Sequence, residues 1–166
     1  MSRLDSFIRR LQAQRACLDR AALLISDLPG PVLELGLGNG RTFDHLRAIL
    51  PHRDIFVFER AVAAHPDCIP PADRLILGDL RATLPAARAR FPGSAALAHL
   101  DIATGEAAAS HALAASLAPL IAPLLRPGAV VVSELSLDVP RWRALALPDG
   151  VEPGRYHLYR VAPATG

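Results

Sequence analysis

The sequence predicts a single α/β domain, in which a doubly wound, mostly parallel sheet is covered by helices on both faces. Three observations predict this fold. Short apolar runs alternate with helical patterns along the chain. Glycines spaced G-x-G-x-G follow the first apolar run, where such folds turn from strand to helix. The chain has 166 residues, of which 51% are hydrophobic and 20% charged, and this suits one domain with a well-filled core.

The first half of the chain opens with a predicted helix over residues 4–28. Its apolar residues recur at steps of three and four, as Leu4, Phe7, Ile8 and Leu11 do. The prolines and glycine at 29–31 end the helix. The segments that follow are a strand at 32–35, a helix at 42–50, a strand at 55–58, a loop or short helix at 61–73 and a strand at 74–77.

The second half continues the alternation and ends in a predicted antiparallel edge strand. The segments are a helix at 81–90, a strand at 95–102, a long Ala- and Leu-rich helix at 106–125, a strand at 129–133 and the last strand at 156–161. Residues 1–166 are expected to form one domain. The N-terminal helix, within residues 1–28, is expected to pack on the core or to act as a lid over it.

Composition excludes several classes of function. All 18 basic residues are Arg, so mechanisms that need a lysine are excluded, and the near-neutral net charge of +2 with scattered arginines gives no clear nucleic-acid surface. Two cysteines are too few for a disulfide framework, and the six histidines show no metal-ligand spacing. No apolar run is expected to reach the roughly 18 residues of a membrane span, and no signal peptide is evident, so a cytoplasmic protein is expected.

The most informative segment lies between the first strand and the next helix, over residues 32–42. Its glycines are Gly36, Gly38 and Gly40. A dinucleotide fingerprint reads G-x-G-x-x-G/A, and here its third position is Arg41, which would obstruct close packing of helix on strand. Glu34 would face a pyrophosphate unfavourably and would suit a positively charged ligand instead.

The pattern E-x-G-x-G-x-G resembles motif I of class I S-adenosylmethionine-dependent methyltransferases. Three further acids stand at strand ends as in that family, namely Glu59, Asp79 and Asp101. The stretch from Leu124 to Ala129 resembles the family's L-x-P-G-G stretch, with Ala129 in place of the second glycine. The resemblance covers about residues 30 to 135 and implies a Rossmann-like methyltransferase fold, with a sheet of the seven-stranded type.

The resemblance implies S-adenosylmethionine as cofactor and assigns a role to most of these residues. Glu59 would hold both ribose hydroxyls, Asp79 and Leu80 would meet the adenine, and Glu34 would serve the ammonium directly or through water. The full set implied for the cofactor is Glu34, Gly36, Gly38, Asn39, Gly40, Thr42, Glu59, Arg60, Asp79, Leu80 and Asp101. Asp79 is also a candidate N-cap of the following helix, and the two roles are compatible.

The acceptor side of the predicted site is less defined. Asp101 and Glu134 are the candidate catalytic residues, and Asp101 could equally contact only the cofactor's ammonium. Motifs for methylation of adenine, cytosine, ribose and catechols are missing, which favours a small-molecule acceptor methylated at oxygen, nitrogen or carbon. With no inserted substrate domain, a second subunit of a homodimer or higher homo-oligomer could complete the pocket.

Two other functions stay open at this stage. One is a protein that binds S-adenosylmethionine without catalysis, as a sensor or a partner subunit. The other is an NAD-dependent oxidoreductase, which Glu34 and the glycine spacing disfavour. For single residues, we expect His99 to be buried and hydrogen-bonded, His45 to be a solvated helix residue, and Trp142 to pack in the core or an interface.

Overall fold

The computed structural model describes residues 2–163, which form a seven-stranded sheet with helices on both faces. The strand order is β3-β2-β1-β4-β5-β7-β6. The strands are β1 (Val32–Leu35), β2 (Ile55–Glu59), β3 (Leu75–Leu77), β4 (Ala95–Leu100), β5 (Leu125–Ser133), β6 (Trp142–Ala144) and β7 (His157–Val161). The pairs among β1 to β5 are parallel, and β7 runs antiparallel to β5 and β6. The predicted fold class is confirmed.

Side chains satisfy free N–H groups at the start of three of the described helices, whereas the helix that begins at Arg41 follows Gly40 without a side-chain cap. At the start of the first helix, Ser2 and Asp5 form a reciprocal capping box. Asp79 caps the third helix by accepting a hydrogen bond from the N–H of Arg81, and Glu106 caps the fourth by accepting from the N–H groups of Ala108 and Ala109. The helices are α1 (Arg3–Leu24), α2 (Arg41–Ile49), α3 (Leu80–Ala87) and α4 (Ala107–Ile121), with single 3-10 turns at Pro66–Cys68, Ala72–Arg74 and Ala122–Leu124.

The C-terminal edge of the sheet differs from the prediction. The last strand, β7, is antiparallel as expected, but it lies between β5 and β6, and β6 is the edge strand. Strand β6 is only three residues long, which is too short for a recognisable pattern in the sequence. Its Trp142 is buried and packs near Tyr159, with ring centroids 6.2 Å apart, so the expectation of core packing for Trp142 is confirmed.

Two expectations about apolar segments are corrected. Strand β5 begins at Leu125 rather than 129, because a shift of register opposite Ala95 and Leu97 accommodates the turn-forming residues inside the strand. The segment Ala107–Leu124 is an 18-residue apolar stretch, long enough by composition to cross a membrane. In this fold it is α4 and its 3-10 extension, and Leu117 and Ile121 are buried in the core.

The sheet separates two apolar cores, and strand alternation decides which side chains enter each. Leu33 and Leu35 of β1 pack into one core, under α3 and α4. Val32 packs into the other, under α1 and α2, and Glu34 alternates onto the same face. Glu34 therefore points toward α1 and α2 from inside a strand that is buried along its whole length.

Candidate functional site

The carboxyl ends of β1 to β4 border a cleft of about 500 Å³, which we call the main cleft. This is the edge where open α/β sheets bind ligands. Seven residues that the sequence singled out line it together: Gly36, Gly38, Glu59, Arg60, Asp79, Leu80 and Asp101. A groove of similar size, about 540 Å³, lies between the C-terminal ends of α1 and α2, away from these strand ends.

The glycine turn after β1 forms one wall of the main cleft. Gly36 has φ +90°, and a Cβ there would lie 2.3 Å from the carbonyl oxygen of Asp101, so a side chain is excluded. Gly38 has φ +53°, and nothing lies within 4 Å of the position of its missing Cβ. The backbone at Gly38 is therefore open to a ligand. Gly40 instead packs against Cys68, whose Cβ lies 2.4 Å from the position that a Cβ of residue 40 would take. Gly40 lines neither the main cleft nor the smaller cavity described below.

Glu59, the last residue of β2, holds this turn in place. Its Oε2 accepts hydrogen bonds from the N–H of Leu37 at 2.7 Å and of Gly38 at 3.2 Å, and its Oε1 accepts from the N–H of Arg60 at 2.7 Å and of Ala61 at 3.3 Å. Burial raises the pKa of Glu59, but these four N–H groups outweigh it and lower the pKa below 4.5. Glu59 is therefore an ionised acceptor at the cleft wall.

Asp79 stands at the end of the cleft that β3 borders. Its Oδ1 accepts from the N–H of Arg81 at 2.8 Å, so its expected N-cap role is confirmed. The side chain is exposed to the main cleft beside Leu80. A carboxylate has acceptor capacity beyond one N–H, so the cap leaves Asp79 able to accept from a ligand.

A second, smaller cavity of about 180 Å³ lies under α1 and adjoins the main cleft; we call it the side pocket. The two cavities share Gly38 and Asp101. The side pocket is otherwise lined by Arg10, Leu11, Gln14, Leu37, Asn39, Arg41 and Thr42. Two cavities joined at Gly38 and Asp101 can take the two ends of one elongated ligand.

Asp101 and Glu134, the candidate catalytic acids, share the guanidinium of Arg10 from α1. Arg10 Nη1 lies 3.1 Å from Oε1 of Glu134 and 3.8 Å from Oδ1 of Asp101. Burial and then the adjacent Asp101 raise the pKa of Glu134, although Arg10 opposes the shift. The Oε2 of Glu134 is buried and has no hydrogen-bond partner within residues 2–163. A carboxyl group with a raised pKa holds a proton more readily than an ordinary one, so Glu134 is suited to take up a proton.

Glu34 lies outside both cavities. Its carboxylate is fully buried, Oε1 accepts a hydrogen bond from the hydroxyl of Thr42, and Oε2 accepts from Nδ1 of His99 at 2.7 Å. Complete burial lowers the pKa of His99, but the charge and hydrogen bond of Glu34, together with the nearby Asp101 and Glu134, outweigh it and raise that pKa. The expectation that His99 is buried and hydrogen-bonded is confirmed. A role for Glu34 toward a cofactor ammonium stays a prediction, and in this arrangement other side chains occupy both of its oxygens.

The buried polar chain continues from His99 to helix α1. A hydrogen bond of 2.8 Å joins Nε2 of His99 to the hydroxyl of Tyr156, which precedes β7. The side-chain amide of Gln14 donates to that hydroxyl at 2.9 Å and to Oδ2 of Asp101 at 3.2 Å. Burial is the main cause that raises the pKa of Tyr156 far above its ordinary value, so the hydroxyl keeps its proton. This chain connects the interior of the sheet to the acid at the cleft.

Sequence reasoning therefore found the strand-end residues and missed those contributed by distant segments. Arg10, Gln14 and Tyr156 were not singled out, because each reaches the site only through tertiary packing. One feature of the sequence could have indicated Gln14: it is a polar residue on the otherwise apolar face of a predicted helix. Of the other histidines, His45 is half-buried and pairs with Asp19 at 2.7 Å.

A family model described as S-adenosyl-L-methionine methyltransferase matches residues 1–161 of the chain. The chain belongs to this methyltransferase family. The cofactor inferred from motif I, S-adenosylmethionine, and the assignment as a methyltransferase enzyme are confirmed. None of the curated proteins searched matches the chain.

Solved structures agree with this assignment. An S-adenosyl-L-methionine methyl transferase from Silicibacter pomeroyi DSS-3 is 47% identical, with a TM-score of 0.94, over 98% of this chain and 99% of that one. Human methyltransferase-like protein 13 in complex with SAH shares the fold at 17% identity and a TM-score of 0.58, covering 93% of this chain and 81% of that one. A 16S rRNA adenine N1-methyltransferase from Catenulisporales acidiphilia with SAM shares it at 15% identity and a TM-score of 0.51, covering 90% and 92%.

The residues at the cleft of this methyltransferase fit the parts of that cofactor. The ionised carboxylate of Glu59 could accept hydrogen bonds from a diol, the open backbone at Gly38 would leave room for a thioether chain, and Asp101 could provide the counter-charge for a cationic amine. Bound there, the sulfonium supplies the transferable methyl group.

Proposed function

We propose that the protein transfers a methyl group from S-adenosylmethionine to a small-molecule acceptor, with Glu134 accepting the proton that the acceptor loses. The observation that carries the proposal is the junction of the two cavities at Asp101. This junction lies beneath helix α1 and beside Glu134, whose pKa is raised. This junction is small, partly enclosed and acidic.

The cofactor would lie across both cavities. Its adenosine would occupy the main cleft, with the ribose hydroxyls on Glu59 and the adenine near Asp79 and Leu80. Its amino-acid end would pass Gly38 into the side pocket, with the ammonium at Asp101. Arg41, at the N-terminus of α2, would then meet the carboxylate of that end, because a positive side chain and a helix N-terminus both favour an anion.

The acceptor would approach Asp101 and Glu134 from the ends of β4 and β5. Methyl transfer needs the acceptor's lone pair held in line with the bond that breaks, and a neutral hydroxyl or amine must also lose a proton. Glu134 has the raised pKa that suits a proton acceptor, and it lies beside Asp101 under the same arginine. Asp101, which Gln14 and Arg10 face, is better placed to hold the ammonium.

Charge at the cleft favours a small molecule over a nucleic acid. A nucleic-acid surface needs arginines free to meet phosphates. Several arginines here are paired with acids, for example Arg9 with Glu152 at 3.2 Å and Arg74 with Asp54 at 2.6 Å. Asp101 lines both cavities, and its carboxylate would repel phosphates. The structural neighbour that is an rRNA methyltransferase shares only the fold.

The test uses S-adenosylmethionine labelled in its methyl group and a cell extract separated into small molecules, RNA and protein. We expect label in the small-molecule fraction. We expect Glu134→Gln to lower that rate by about a hundredfold or more while S-adenosylhomocysteine still binds, because general-base catalysis is worth this much. Glu152→Gln, a surface acid paired with Arg9, is the control and should react at the wild-type rate.

Two outcomes would contradict the proposal. Label in the RNA or protein fraction would mean a macromolecular acceptor. Tight binding of the cofactor without labelling of any fraction would favour the alternative of a non-catalytic cofactor-binding protein. The cytoplasmic location and the homo-oligomer expected from the sequence stay predictions.

A further inference from the structure

Helix α1 contacts the candidate site through a buried amide. Five residues of α1 are buried, and Gln14 stands among Ala13, Cys17, Leu18 and Ala21. Gln14 is only 5% exposed. Burying an amide is unfavourable unless its donors are satisfied, so a glutamine at this position needs specific partners.

Both partners are present, and they flank Gln14 in the polar chain, with Tyr156 on the interior side and Asp101 on the cleft side. The amide nitrogen of Gln14 lies 2.9 Å from the hydroxyl of Tyr156 and 3.2 Å from Oδ2 of Asp101. The opposite orientation would place the amide oxygen against the Asp101 carboxylate, and two acceptors repel. The amide therefore has one favourable orientation, in which it donates to both neighbours.

Tyr156 is a rigid support for this amide. Its hydroxyl is bonded to His99, and His99 is bonded to Glu34 inside the sheet, with all three side chains fully buried. Asp101, in contrast, lies at the junction of the two cavities and is partly exposed. Within residues 2–163, Gln14 is the one side chain that donates a hydrogen bond to the carboxylate of Asp101. Arg10 also faces this carboxylate, but its distance of 3.8 Å is too long for a hydrogen bond.

We propose that Gln14 is a positioning residue: its amide, held by Tyr156, fixes the carboxylate of Asp101 and keeps α1 closed over the amino-acid end of the cofactor. With Oδ2 held by Gln14, Oδ1 is left to face the ammonium. The inference rests on the cofactor placement proposed above. It adds that hydrogen bonds from the interior of the sheet, through Tyr156 and Gln14 of α1, determine the orientation of the Asp101 carboxylate.

The test compares two ligands that differ only in the part Gln14 should affect. S-adenosylhomocysteine carries the amino-acid end, whereas 5′-methylthioadenosine lacks it. Gln14→Met keeps the length of the side chain and removes its donors. We expect this variant to bind S-adenosylhomocysteine about three- to tenfold more weakly, which is the cost of ordering a side chain on binding. Its affinity for 5′-methylthioadenosine should stay within about twofold of the wild-type value.

Gln12→Met is the matched control, since Gln12 lies on the exposed side of the same helix, and both ligands should bind it as they bind the wild type. Tyr156→Phe keeps Gln14 but removes the hydroxyl that holds its amide. We expect a smaller loss of affinity, which affects S-adenosylhomocysteine and not 5′-methylthioadenosine. Thermal unfolding of each variant confirms that it is folded. An equal loss for both ligands would reduce Gln14 to a structural role and overturn the inference, as would unchanged affinities.

A double-mutant cycle with Asp101→Ala separates this inference from the cofactor placement. If Gln14 acts through Asp101, Gln14→Met should change the affinity of the Asp101→Ala protein by less than about twofold. If the two substitutions lowered the affinity additively, the inference about Gln14 would be wrong, whereas the cofactor placement would stand. If Asp101→Ala binds S-adenosylhomocysteine as tightly as the wild type, the placement of the ammonium is wrong and the inference falls with it.

Discussion

Glu34 and Glu59 look alike in the sequence, yet the structure uses them in different regions. Both are acids on neighbouring parallel strands near the glycine turn. Glu59 lies at the wall of the main cleft and accepts four backbone hydrogen bonds. Glu34 is fully buried beneath α1 and α2 and bonds to Thr42 and His99. One acid shapes the ligand site and the other stabilises the interior.

Position within the strand explains the difference. Glu59 is the last residue of β2, where the backbone leaves the sheet and the side chain can reach the cleft. Glu34 is the third residue of β1, which has sheet on both sides and helices on both faces. Its neighbour across the strand pair is His99, on the same face, so the two meet inside the core. An acid inside a buried strand needs a partner, whereas an acid at its end can serve a ligand.

The largest expected effect concerns the interior. His99→Leu removes the partner of a fully buried carboxylate, and we expect the free energy of unfolding to fall by about 3–5 kcal/mol, measured by urea denaturation. His52→Leu, at an exposed position, is the control and should change it by less than about 0.5 kcal/mol. A His99→Leu protein as stable as the wild type would mean that Glu34 does not depend on this pair.

A smaller effect is expected at the cleft. Glu59→Gln replaces one acceptor oxygen with an amide that opposes the backbone N–H groups of the turn, and it removes the charge expected to meet the ribose. We expect S-adenosylhomocysteine to bind about 1.5 kcal/mol more weakly, roughly tenfold, by calorimetry. The fold should be largely retained.

Glu106→Gln is the matched control for that variant. Glu106 also accepts backbone hydrogen bonds, from Ala108 and Ala109, but it caps α4 and lines neither cavity. Its variant should bind S-adenosylhomocysteine as the wild type does. If both variants bound equally well, Glu59 would be a structural cap like Glu106.

The smallest effect is a pH dependence. The folded-state pKa of Glu59 lies below 4.5, so the stabilisation of the turn is complete above that value and is lost as the pH falls through the lower folded value. We expect the affinity for 5′-methylthioadenosine to be constant from about pH 8 to about pH 5. Calorimetry that found a fall near neutral pH would show that Glu59 binds as a group of raised pKa, contrary to its contacts.

The sequence could predict the cleft because its parts are local. Gly36, Gly38 and Glu59 are each next to the end of a strand whose apolar run is visible, and parallel strands bring those ends to one edge. The acceptor side could not be predicted in the same way. Gln14 and Tyr156 come from the two ends of the chain, and only the packing of α1 and of β7 against β5 brings them to Asp101.

A crystal structure of the protein with S-adenosylhomocysteine would test most directly whether strand-end acids hold the ligand while the buried acid holds the fold. We predict both ribose hydroxyls within hydrogen-bond distance of the Glu59 carboxylate, the ammonium at Asp101, and Glu34 still bonded to Thr42 and His99. A ligand ammonium bonded to Glu34, with its pair to His99 broken, would contradict this division.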